Sequence, residues 1–61
     1  LITDDDEALY SAVPVRDGAD VTALQRASGL SAQDTTKGLA RLQALGVVER
    51  RAGRWRKAAL T

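Results

Sequence analysis

A chain of 61 residues makes one small domain, whose apolar core supplies roughly 3–5 kcal/mol of stability and little more. It contains neither cysteine nor histidine. That excludes disulfide staples, thiolate or imidazole metal sites and the common nucleophile–base pairs, so the fold must rest on packing of leucine and valine, with Trp55 and Tyr10 the only aromatics. The net charge of +1 conceals a segregation: residues 1–34 sum to −5 and residues 35–61 to +6, which points to an anionic partner at the C-terminal half.

The chain opens at Leu1 rather than Met, and residues 1–3 read as a linker, so a fragment of a longer protein is expected. No apolar run approaches the roughly 18 residues that a membrane span needs. In "TDDDEALYSAVP" Asp4 and Glu7 have capping-box spacing, the acids lie at the positive end of a helix dipole, and Leu9, Ala12 and Val13 form an apolar stripe. Helix 1 is therefore expected over 4–13, with Asp4 as its cap and Pro14 as its stop. Consecutive carboxylates on a helix point in different directions, so the acidic run reads as a charged helix start and not as a magnesium site. "VRDGA" is turn chemistry, with a short extended stretch around Val15. Asp20 then caps a helix over 21–28, whose apolar face is Val21, Leu24 and Ala27, and Gly29 occupies the left-handed C-terminal position.

A second helix follows almost at once. Ser31 and Asp34 have capping-box spacing ahead of a helix over 32–45 that Gly46 ends. The three-residue connection is helix-turn-helix spacing, with Leu24, Leu30, Leu39, Leu42 and Leu45 as core. Gln33, Thr36, Lys37 and Arg41 fall on another side of this helix. Gly38, in its interior, permits close backbone approach, either to DNA or to a neighbouring helix.

Residues 47–58 read as a hairpin that carries five cations, Arg50, Arg51, Arg54, Arg56 and Lys57, within eight consecutive positions. A two-residue Ala-Gly loop would force Ala52 to positive φ, so the expected loop is Arg51-Ala52-Gly53, with Arg50 opposite Arg54. In that register Trp55 shares a face with Val47 and packs on the helices, while Arg50, Arg54 and Arg56 line the other face with Val48. Like charges placed opposite each other are tolerated when an anion sits between them, and phosphates fit that place.

The fold class expected is thus mainly α with a small β-hairpin: a winged helix-turn-helix of three helices and a two-stranded wing. In that layout Gln33, Thr36 and Lys37 face base edges, Ser31 and Arg41 reach phosphates, and Arg50, Arg51, Arg54 and Arg56 form the wing contact. No catalytic residue, cofactor, metal or small-molecule substrate is expected. DNA is the expected partner. The alternatives are the DNA-binding domain of a bacterial regulator and a protein-interaction or dimerisation module that does not touch DNA.

The stretch "VTALQRASGLSAQDTTKGLARLQALGVVERRAGRWRKA" also resembles the C-terminal winged-helix domain of the DNA-processing protein A family (DprA, also called Smf). Members tend to end in L-x-x-L-x-x-x-G-x-V-x-R-x-x-G-x-(aromatic)-x-R. Here Leu39, Leu42, Gly46, Val48, Arg50, Gly53, Trp55 and Lys57 hold those places, with Arg56 one position early. These motifs are shared with other winged helices, including regulators of the MarR and ArsR kinds. The resemblance implies a cytoplasmic parent with a Rossmann-like domain that binds incoming single-stranded DNA in natural transformation and helps load RecA recombinase. It makes RecA, or other parts of the parent, further candidate partners.

Overall fold

A computed structural model of the chain describes residues 4–58; the expected linker, residues 1–3, lies outside them. Three helices, α1 (Asp4–Ala12), α2 (Val21–Ser28) and α3 (Ala32–Ala44), are followed by an antiparallel hairpin of β1 (Val48–Arg51) and β2 (Arg54–Lys57). This is the winged helix-turn-helix expected from the sequence. No helix among the described residues is long and apolar enough to cross a membrane.

The helix ends follow from local chemistry. The Asp20 carboxylate accepts the Ala23 N–H at 2.8 Å and the Ser31 hydroxyl accepts the Asp34 N–H at 3.1 Å, each satisfying a donor that the first helical turn leaves unpaired. Gly29, with φ 76°, turns the chain from α2 into α3. At the far end of α3, the Gly46 N–H bonds to the Gln43 carbonyl and the Val47 N–H to the Leu42 carbonyl, a Schellman turn. Asp4 is the first residue of α1 itself, and not the cap ahead of it expected from the sequence.

Leu9 and Val13 of the α1 region, Leu24 of α2, Leu39 and Leu42 of α3, and Val48 and Trp55 of the wing form one buried cluster. Leu30 packs half-buried against it. Two residues expected in the apolar set are not there. Ala27 is exposed. Leu45 is 54% exposed, because the Schellman turn redirects the chain and delivers Val48 to the core in its place. Gly38 is buried against α1: a Cβ there would lie 2.6 Å from Leu9 Cδ2 and 3.2 Å from Asp6 Oδ1, so the close approach is to a neighbouring helix.

The wing departs from the expected register. Its partners are Val48 with Lys57, Glu49 with Arg56, Arg50 with Trp55, and Arg51 with Arg54, leaving a two-residue loop in which Ala52 (φ 51°) and Gly53 (φ 77°) are both left-handed. A left-handed alanine costs about 1–2 kcal/mol. The three-residue loop would avoid that cost but would exchange Val48 for Val47 on the Trp55 face, whereas in the observed register Val48 is buried there and Val47 still packs half-buried against the core. Val48 (2% exposed) and Trp55 (7%) share the inner face in the observed register, so core burial outweighs turn preference. The extended stretch expected around Val15 lies instead at Ala19, which exchanges backbone hydrogen bonds with Trp55 at 2.8 and 2.9 Å. The Pro14 carbonyl accepts the Lys57 N–H, so the 14–19 segment covers the outer edge of β2.

Thr35, in the first turns of α3, is fully buried and its hydroxyl has no hydrogen-bond partner among the described residues. An unpaired buried hydroxyl costs about 1–3 kcal/mol, and valine has the same shape without it. Thr35→Val is expected to stabilise the domain by about 1 kcal/mol in urea denaturation. A loss of stability instead would show that the hydroxyl is bonded in solution.

Candidate nucleic-acid interface

Helix α3 buries Thr35, Leu39 and Leu42 and leaves Gln33, Thr36 and Lys37 exposed on the opposite side, where the helical period places them. Two of its polar groups are already engaged. The Ser31 hydroxyl caps the helix, and the Thr36 hydroxyl donates to the Ala32 carbonyl at 3.0 Å. Exposed Asp34 stands beside Gln33 and sets a negative charge where phosphate would pass.

Arg41 is not available to phosphate in the way its position on α3 implied. Its Nε donates to Asp6 Oδ2 at 2.9 Å and its Nη2 to Asp6 Oδ1 at 2.7 Å, a fork that matches the carboxylate on both oxygens. The hydrogen bond to Asp6 raises the guanidinium pKa above its ordinary value. Desolvation opposes that shift, and the charges of Asp6, Asp34 and Asp5 reinforce it. Half of the Arg41 side chain is exposed, whereas that of Asp6 is 3% exposed. The pair therefore binds α1 to α3 and directs its charge inward. Asp6 has a signal in the sequence: it precedes Leu9 and Val13 by three and seven residues, on their buried stripe.

On the wing, register decides which cations are free. Glu49 and Arg56 are directly opposite, and the Arg56 Nε donates to Glu49 Oε1. Lys57, at the base, places Nζ 4.8 Å from the centroid of the Tyr10 ring, a cation–π contact that ties β2 to α1. Arg50, Arg51 and Arg54 remain exposed, and no carboxylate engages them among the described residues. Arg51 and Arg54 flank the turn as a cross-strand pair of like charges. The expected row of Arg50, Arg54 and Arg56 on one face does not form. Arg50 lies on the Trp55 face, while Arg51, Arg54 and Arg56 share the outer face with Glu49. Trp55, as expected, is core and not a stacking platform.

Of the nine candidates, the structure groups Arg50, Arg51 and Arg54 at the tip of the wing and Gln33, Thr36 and Lys37 on the outer face of α3. It withdraws Arg41 and Arg56 into ion pairs and uses Ser31 as a cap. Fold and surface together define a winged-helix domain with a cationic wing. No protein-family model, curated protein or solved structure matches the chain.

Proposed function

We propose that this domain is a DNA-binding module that holds phosphates through its wing with little regard to base sequence. One observation carries the reading: Arg50, Arg51 and Arg54 crowd the wing tip without acidic neutralisation, although the same ribbon supplies Glu49 to Arg56. Like charges directly opposite are destabilising by roughly 0.2–1 kcal/mol, a cost that a bound polyanion removes. Base readout by α3 is weak in this reading, since Asp34 interrupts the outer face and Arg41 is turned toward Asp6.

The resemblance to the DNA-processing protein A family supports placing the module in a cytoplasmic protein that binds incoming single-stranded DNA in natural transformation and helps load RecA. RecA or other parts of the parent are then its protein partners, and neither a catalytic role nor a small-molecule substrate is assigned to it. A second reading, a protein-interaction module, is favoured by an open cleft of about 240 Å³ lined by Asp6, Arg41, Ala44 and the exposed Leu45.

The Glu49→Gln variant tests the first reading. It frees Arg56 and removes the only acid of the hairpin. The pair it breaks is partly exposed and worth about 0–1 kcal/mol, so folding should persist. Fluorescence anisotropy across a salt series is expected to show tighter DNA binding than the parent, with the slope of log affinity against log salt steeper by about 0.9. A parent chain that does not bind DNA at low salt, or a variant with unchanged affinity and slope, would reject the wing as the contact.

A further inference from the structure

We infer that the nucleic acid this surface takes is duplex and not single-stranded, an inference that rests on the DNA-binding reading above. Sequence-tolerant binding of single strands combines a basic groove with exposed aromatic faces on which unpaired bases stack. This chain has two aromatic side chains in all, one Trp and one Tyr, and no Phe or His. Trp55 is 7% exposed, closed in by the core and by the Ala19 backbone. Tyr10 is half-buried, with the Lys57 ammonium over its ring at 4.8 Å. Trp55 is thus closed to a base, and with Tyr10 half-buried and Lys57 over its ring the chain presents no exposed pair of aromatic faces on which successive bases could stack.

What the surface does offer suits a duplex. Lys37 on α3 and the three free arginines on the wing belong to different elements, and the Schellman turn and the buried Leu42, Val48 and Trp55 hold those elements rigidly together. Cations on two elements packed together can address both phosphate rows of a duplex, whereas a single strand presents one row. B-DNA also carries a charge per roughly 1.7 Å of axis, and its major groove, about 12 Å wide, accepts a helix about 10–12 Å across. The outer face of α3 carries the polar side chains Gln33, Thr36 and Lys37, with the small Ala40 and Ala44 beside them, a surface that such a groove can accept. Within a parent that handles single strands, this domain would hold the double-stranded part of the substrate.

The test is anisotropy of the chain at about 50 mM salt, a concentration at which phosphate contacts are strong. The probes are a labelled mixed-sequence duplex and each of its two separated strands, chosen to lack hairpins. The duplex is expected to bind about 10-fold tighter or more, since more phosphate contacts form and their counterion release is larger. Lys37→Gln should weaken duplex binding and leave single-strand binding unchanged. Single strands that bind as well as the duplex, or a Lys37→Gln effect equal on both, would overturn the inference while leaving DNA binding intact. Absence of binding to either probe would overturn the DNA-binding reading itself and the inference with it.

Discussion

Leu42→Ala is expected to abolish cooperative unfolding. Leu42 is fully buried in the cluster that joins α3 to α1, α2 and the wing, and its carbonyl accepts the Val47 N–H that turns the chain toward β1. Truncating a buried leucine costs about 2–5 kcal/mol, through lost transfer energy and the cavity left behind. A core of this size supplies roughly 3–5 kcal/mol in total, so the loss takes most of it. Leu45→Ala is the internal control: at 54% exposure its truncation should fall within about 0.5 kcal/mol of the parent. Thermal melts by circular dichroism separate the two. A Leu42→Ala melt that overlays the parent would show that α3 does not bury this face.

The contrast between Leu42 and Leu45 shows how far the sequence could be read. Both fit the same apolar period on α3, and periodicity alone gives no reason to part them. Leu45 leaves the core because the chain turns at Gly46 and Val48 fills the space, which is tertiary competition and not a local signal. Helix ends were legible for the opposite reason. The Asp20 and Ser31 caps and the Gly29 turn depend on neighbours within four residues. The hairpin register differs from the expected one because turn preference, the local signal, argues against a left-handed Ala52, whereas the fold buries Val48 beside Trp55 and keeps Val47 packed against the core as well.

That single difference reorganised the candidate site. Changing the loop by one residue moves Glu49 opposite Arg56 and removes Arg56 from the free cations. Arg41 was lost to the interface through a partner 35 positions away in sequence, a distance at which composition and periodicity carry little information. The basic character of the wing was therefore readable in its residues. Which of its cations are available was readable only in the fold.

Those available cations set the second large effect. Replacing Arg50, Arg51 and Arg54 together by Gln is expected to remove about three phosphate contacts, making the slope of log affinity against log salt shallower by about 2.7. Between 50 and 200 mM salt this corresponds to roughly a 40-fold difference in how far affinity falls. The same variant should fold as well as the parent or slightly better. It relieves the Arg51–Arg54 pair across the ladder, and none of the three arginines is engaged by a carboxylate among the described residues. Stability and binding then move in different directions, which loss of the fold cannot imitate. Arg26→Gln, an exposed arginine on α2, controls for net charge: it should change the slope less than Arg51→Gln alone, because steering by total charge is screened over a Debye length of about 10 Å at 0.1 M salt whereas a phosphate contact is not. Equal effects of Arg26→Gln and Arg51→Gln would mean that the wing attracts DNA without touching it. If the triple variant binds with unchanged affinity and unchanged salt dependence, the wing is a solvated face, and the cleft beside Arg41 and Leu45 becomes the surface on which a protein partner should be sought.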